Sequence, residues 1–274
     1  MVSFVREKKI QAGENYREAD IYILSDRMRS TRRTKKEKIS RPAQRNLNDH
    51  NSKRYFVQLA EANFGEGDIS LGLDYWQTPE SVREAEKELR NFFRRLATRY
   101  KKKGLTLRYL GVTSDVDGAT GAPKRVHHHV FISGGLSWQE IKDCWRRRRR
   151  KGEKTGRMIG RCNINELIPD EDFNISGKAY YFSRQGGGRK RWVGSMNLRK
   201  PVRLPDADTK YSVSQIGRMC TEDPEPLWGK DVAFMVNYKF WQKKFPGWRI
   251  VSYDPGHSLF SGWRITFKLR REVE

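Results

Sequence analysis

The sequence predicts an α+β fold whose strands form a largely antiparallel sheet. Strand-like and helix-like segments intermingle without the regular strand–helix–strand alternation of a parallel sheet. One helix is unmistakable, and the apolar runs on either side of it are short and rich in β-branched or aromatic residues.

Taken in order, the first fifty residues are polar and basic, with one short β-like piece, Ile21 to Leu24, before a charge run. Such a run reads as a solvated arm or as one that tracks phosphates. "RYFVQLAEANF" and "DISLGLDY" read as two strands joined through Gly65–Gly67, although the apolar spacing of the first also allows a short helix. The clear helix follows. Thr78 is placed to cap it, Pro79 suits its first position, and Glu80 favours the positive end of the dipole. Val82, Ala85, Leu89, Phe92, Phe93, Leu96 and Tyr100 recur at steps of three and four, forming one buried stripe. Lys101 to Lys103 suit its negative end, and Gly104 stops it. "LTLRYLGVT" is then a strand, and Asp115 to Lys124 a polar connection into the strand "VHHHVFI", which Gly134 and Gly135 end.

Ser137 caps a short helix whose Trp138, Ile141 and Trp145 share a face. "RMIGRCNINEL" supplies a fifth strand and "ISGKAYYFSRQ" the end of a helix, broken by Gly186–Gly188. Beyond Pro201 the pattern weakens; "VAFMVNYKFWQKKF" reads as helix and "GWRITFKLRR" as strand. The expected division is a basic N-terminal arm over 1–52, a central domain over 53–200 and a C-terminal α/β extension over 201–274.

Composition narrows the partner. The 274 residues carry a formal net charge of +23, which favours a polyanion, with nucleic acid ahead of an acidic membrane. Aromatic residues make up 12%, too many for a wholly disordered basic tail. Cys144, Cys162 and Cys220 are far apart with no CxxC pair. That excludes a cysteine zinc ribbon and fits a reducing, intracellular compartment. With no signal peptide and no run of ~20 apolar residues, the expectation is a soluble, cytoplasmic protein with no membrane partner.

Three of the five histidines stand together as His127, His128 and His129. Strand side chains alternate, so His127 and His129 share a face and His128 takes the other. Two imidazoles on Cα atoms roughly 6.6 Å apart can converge on one cation. Beside a nucleic acid, a divalent ion there has a task, because it can polarise a phosphodiester. Asp115 and Asp117, at the end of the preceding strand, are the obvious oxygen donors, and the mixed set suits Mn²⁺, Mg²⁺ or Zn²⁺. A nucleophile is offered by Tyr180 or Tyr181. Successive helical residues are about 100° apart, so only one of them can face the metal. Arg184 lies within reach of either on a helix.

Together these segments resemble the histidine–hydrophobe–histidine (HUH) endonucleases that act as rolling-circle replication initiators of phage and plasmid type. "VHHHVFISGG" is similar to their metal motif, with His128 in the hydrophobe's place, and "AYYFSRQ" to their tyrosine motif. "LNDHNSKRYFVQLAEANFGEGDISLGLDY", "RKRWVGSMNLRKP", "FPGWRI" and "GWRITFKLRR" resemble flanking segments, so the likeness spans most of the chain.

The resemblance implies a five-stranded HUH-type sheet and a nuclease that nicks one DNA strand. It would keep a 5′-phosphotyrosine link and leave a 3′-hydroxyl to prime synthesis. His127 and His129 match the metal histidines and Tyr181 the nucleophile, with Tyr180 the alternative. The ion implied is Mg²⁺ or Mn²⁺. Arg184 stands where the family has lysine; it can hold phosphate but cannot shuttle a proton. Ser114 stands where the family places its acidic ligand. Asp115 beside it becomes the expected third ligand, with Asp117 second. The partners implied are single-stranded or origin DNA and a host helicase and polymerase, since no GxxxxGK[ST] motif is present. Relaxases and single-strand transposases share the chemistry. A DNA-binding regulator without catalysis, or a packaging protein with structural histidines, are rival readings. Arg146, Arg147, Arg148, Arg149 and Arg150, with Arg189, Lys190 and Arg191 after the tyrosine helix, are the expected DNA-backbone contacts.

Overall fold

The computed structural model of the chain describes residues 3–25, 42–117, 120–172, 174–184, 192–223, 233–259 and 261–272. In chain order the elements are β1 (Ser3–Ala12), β2 (Tyr16–Ser25), α1 (Pro42–Asn63), β3 (Ile69–Leu73), α2 (Val82–Lys102), β4 (Tyr109–Val116), β5 (Pro123–Ile132) and α3 (Trp138–Cys144). They continue with β6 (Cys162–Glu166), α4 (Ser176–Arg184), β7 (Val193–Gly194), β8 (Val202–Arg203), α5 (Val213–Met219), β9 (Cys220–Asp223), β10 (Ala233–Val236), α6 (Tyr238–Gln242), β11 (Trp248–Ser258) and β12 (Gly262–Arg271). The fold is α+β with two antiparallel five-stranded sheets. The chain divides into two compact units, one of residues 42–200 and one that joins residues 1–41 to 201–274.

In the 42–200 unit the strand order is β6-β3-β5-β4-β7. One face packs on α2 and α3, whose Ala85, Leu89, Phe92, Phe93, Leu96, Tyr100, Ile141 and Trp145 meet Leu71, Leu73, Val130 and Ile132. The other face packs Leu110, Val112 and Phe131 against α1 and α4 through Phe56, Leu59, Ala60, Ala179 and Phe182. The stripe expected of α2 is the one buried. Its cap, however, is Ser81, whose Oγ accepts from the Glu84 amide at 3.2 Å, three residues beyond the expected Thr78. Gly104 follows the helix at φ 69°, the left-handed conformation that only glycine adopts without strain. Ser137 and Glu140 form a reciprocal capping box on α3, but Trp138 is 49% exposed; the buried face is Ile141, Cys144 and Trp145.

Residues 54–63, expected as a strand or short helix, are the last turns of the 22-residue α1. Phe56 through Phe64 are all buried, so no one-sided stripe marks the helix in the sequence.

The second unit replaces the expected N-terminal arm. β1 and β2 form a hairpin inside the sheet β11-β12-β2-β1-β8, with β2 paired to β12 from Tyr16↔Arg270 to Tyr22↔Arg264. The N-terminus is therefore a structural partner of the C-terminal strands. The arm disguises itself because its inward positions include Glu7, a fully buried carboxylate that accepts from Lys210 Nζ at 2.9 Å and the Tyr211 hydroxyl at 3.1 Å. Ala233–Val236, expected as helix, is strand β10 paired with β9, and Asn237 then caps the short α6. The core of this unit gathers Val5, Ile21, Trp241, Phe245, Ile265, Phe267 and Leu269. The basic run between Arg27 and Lys38 lies outside the described residues. Among the described residues no helix is long and apolar enough to cross a membrane.

Candidate functional site

The three histidines occupy the middle of β5, the central strand of its sheet. Alternation separates them as the pattern requires. His128 faces the α2 side and is completely buried. Its Nε2 meets the Tyr75 hydroxyl at 2.6 Å and its Nδ1 the Thr113 hydroxyl at 3.0 Å. Because the Tyr75 hydroxyl donates to the Ala85 carbonyl at 3.2 Å, it accepts from Nε2–H, leaving Nδ1 to accept from Thr113. Burial, with the neighbouring imidazoles second, pushes His128 down to about 3, so it is a neutral core residue.

His127 and His129 lie on the opposite face, with Nε2 atoms 3.1 Å apart. The His127 Nδ1 donates to the Arg125 carbonyl at 2.8 Å, which fixes the tautomer and turns the Nε2 lone pair towards His129. Burial lowers His129 to about 4, so at neutral pH it too presents an unprotonated imidazole. Two rings with facing Nε2 atoms are a donor pair suited to a divalent cation.

Helix α4 brings the tyrosines. Its start is anchored by Glu61 of α1, a buried carboxylate that accepts from the Ser176 hydroxyl at 2.5 Å and the Asn174 amide at 3.0 Å. Phe182 then seals the helix to the sheet, stacked 4.6 Å from the His129 ring and 4.6 Å from Phe131. The Tyr181 ring stands 5.4 Å from His129, and half of that residue is exposed. Tyr180, equally exposed, instead lies under the Arg184 guanidinium, 5.9 Å from its ring centre. His127, His129 and Tyr181 are thus brought together, and Arg184 is placed beside Tyr180.

The acidic positions are less simply arranged. Ser114 pairs directly with His127 across β4 and β5, and the register shifts between Ser114 and Val116, so Asp115 sits in the irregularity. Asp117 serves the β4–β5 turn: Oδ1 accepts from the Thr120 amide at 3.0 Å and Oδ2 from Lys124 Nζ at 3.1 Å. Among the described residues no three His, Cys, Asp or Glu side chains gather where they could share a metal ion. The residues therefore fit a cation through the two imidazoles, without a third side chain collected beside them.

Three residues of this neighbourhood carried no signal in the sequence. Phe182 looks like any apolar helix residue until it is found against His129. Gly72 pairs with His129 on one side and Asn163 on the other, which leaves the sheet without a side chain between them. Asp74, one residue past Leu73 (the partner of His128), accepts from the Asn163 amide at 3.4 Å and brings a carboxylate to this end of the sheet.

Of the expected DNA contacts, Arg147 to Arg150 are exposed, whereas Arg146 is tied to Asp143 at 3.1 Å and to the Gly156 carbonyl at 3.3 Å. Arg189, Lys190 and Arg191 lie outside the described residues. Comparison of the chain with protein-family models, curated proteins and solved structures returned no match.

Proposed function

We propose that this chain is a tyrosine-dependent single-strand DNA endonuclease that initiates rolling-circle replication. The observation that carries the reading is the convergence of His127, His129 and Tyr181 on one face of the sheet, within a strongly basic chain. His127 and His129 would hold Mg²⁺ or Mn²⁺, which would supply Lewis-acid polarisation of the scissile phosphate. A third, oxygen donor would have to be brought to the pair, and Asp115 in the β4 irregularity and Asp74 past the end of β3 are the carboxylates offered for it.

Tyr181 supplies the attacking oxygen. A bond forms from that oxygen to phosphorus as the bond from phosphorus to the 3′-oxygen breaks; the phenol proton leaves to solvent and the 3′-oxygen takes one up. The product is a 5′-phosphotyrosine and a free 3′-hydroxyl, and reversal of the same step rejoins the strand. Phe182 and the Glu61 anchor orient α4, so Tyr181 approaches without a search over rotations of the helix. Arg184 contributes phosphate holding, not proton transfer. Strand separation and synthesis fall to a helicase and polymerase of the host.

The test is incubation with single-stranded DNA of the replicon that carries the gene, in Mn²⁺, followed by a denaturing gel. A protein–DNA adduct lost in Tyr181→Phe is expected. Absence of an adduct, with DNA binding intact, favours a non-catalytic DNA-binding regulator. That second reading draws on Ser114, paired with His127, in the position where the resembled family places an acidic ligand. A relaxase or transposase role would use the same residues on a different DNA.

A further inference from the structure

Within the 42–200 unit, an exposed tryptophan stands on a backbone held from three directions. Trp76 is 57% exposed, and what sets it apart from a singly exposed apolar residue is the way its backbone is held. Its amide donates to the Ile159 carbonyl at 3.0 Å, and the preceding Asp74 amide donates to the Arg161 carbonyl at 3.0 Å. The Arg125 guanidinium donates to the Tyr75 and Trp76 carbonyls at 2.5 and 2.8 Å. Gly160 permits this approach, since a Cβ there would lie 1.7 Å from the Asp74 carbonyl oxygen. The indole is thus presented on a rigid support. The Arg161 guanidinium lies 5.7 Å from its centre, and a single cation occupies only one face of a ring.

Beside the indole is a cleft of about 340 Å³ whose lining includes Trp76, Gln77, Arg147, Arg148 and Arg150. A larger one of about 920 Å³ shares Gln77 and the same three arginines. Unlike Arg146, none of the three forms an ion pair with a carboxylate among the described residues. Glu80, Glu84 and Glu88 line the larger cleft, and Glu153 lines the smaller one, where it accepts from the Arg150 amide at 3.0 Å and pairs with Arg157 at 3.5 Å, so an anionic chain is confined to the arginine wall. A flat aromatic face next to a row of unpaired guanidiniums matches an unstacked base with its phosphates, a combination that duplex DNA does not offer.

We propose that Trp76 with Arg147, Arg148 and Arg150 forms a single-stranded DNA subsite in which the indole stacks on one base and the arginines hold the adjoining phosphates. Arg125 links this subsite to the candidate cleavage centre. Its side chain clamps the Trp76 backbone while its own carbonyl holds the His127 ring. The backbone of Trp76 and the His127 ring are therefore held by one residue. The choice of DNA rests on the nuclease reading.

The test is fluorescence polarisation with a labelled single-stranded DNA 20-mer, in EDTA and on a Tyr181→Phe background, so that no chemistry intervenes. Trp76→Ala is expected to weaken binding on the order of 10- to 100-fold with an unchanged slope of log K against log salt. Trp76→Phe should recover most of the loss. Replacing Arg147, Arg148 and Arg150 together by alanine should flatten that slope by about 2, at ~0.7 for each phosphate no longer neutralised. Thermal melts establish that the exposed substitutions leave the fold intact. Equal affinity of Trp76→Ala and the parent, an equal loss on duplex DNA, or tighter binding of RNA overturns the subsite. If the parent binds no single-stranded DNA, the subsite and the nuclease reading fall together. If Trp76 matters for binding but wild type forms no adduct in Mn²⁺, only the nuclease reading falls.

Discussion

Replacing His128 by glutamine isolates one titration that the fold creates. In the native protein the ring is enclosed between Tyr75, Thr113 and Trp145 and stays neutral to about 3, whereas in the unfolded chain it titrates near its ordinary 6.5. Below pH 6.5 the unfolded state therefore binds a proton that the folded state refuses. The associated stability is complete above pH 6.5 and is lost as pH falls towards 3. Between pH 6.5 and pH 5, at about 1.4 kcal/mol per pH unit, the loss from this residue is about 2 kcal/mol. His129, lowered to about 4, adds to it in the same direction. Glutamine keeps a donor and an acceptor for Tyr75 and Thr113 but cannot titrate. Urea unfolding of both proteins across pH 7.5 to 5.0 measures the effect. The variant is expected to be less stable than wild type at pH 7.5 and to close the gap by about 2 kcal/mol at pH 5. Parallel curves over the whole range would falsify the placement of His128 as a sealed neutral group.

Further perturbations address the candidate site and its support. Mn²⁺ in hundredfold excess over its dissociation constant should stabilise the 42–200 unit by about 2.7 kcal/mol in thermal melts. EDTA, His127→Ala or His129→Ala should abolish that gain. Asp117→Asn should leave cleavage unchanged, because its carboxylate serves the β4–β5 turn, and comparison of Asp115→Asn with Asp74→Asn in the same assay shows which carboxylate the reaction needs. Phe131→Ala should cost about 3–5 kcal/mol in urea unfolding, since the ring is fully buried among Phe56, Phe64 and Phe182. Ser81→Ala should cost ~1 kcal/mol by removing the α2 cap, whereas Thr78→Ala should be nearly silent.

What is legible in the sequence is whatever obeys one period. The α2 stripe repeats every three or four residues because one side of the helix meets the core, and the β5 alternation assigns each histidine to a face. Elements that break the period mislead for physical reasons. The end of α1 is buried all round, so its composition resembles a buried strand. β1 escapes notice because a carboxylate, Glu7, occupies an inward position where an apolar residue is expected. The partners of the Glu7 carboxylate, Lys210 and Tyr211, lie some two hundred residues away, and no local rule finds them. The same limit governs the candidate site. The histidine pair and the tyrosines are local motifs and can be named from the sequence. Phe182 against His129, the Glu61 anchor of α4, Asp74 at the sheet's end and the Trp76 support all depend on contacts between distant segments. The β4 irregularity at Asp115 is likewise a matter of register with β5, which the sequence does not print.

The most direct measurement is peptide mapping of the protein after reaction with single-stranded DNA and Mn²⁺. Trypsin cuts after Lys178 and Arg184, releasing "AYYFSR", and fragmentation of that peptide separates Tyr180 from Tyr181. A nucleotide phosphate is expected on the Tyr181 oxygen, absent when His127 or His129 is alanine. A modification on Tyr180, on any residue outside this peptide, or one that forms equally well without the two histidines contradicts it.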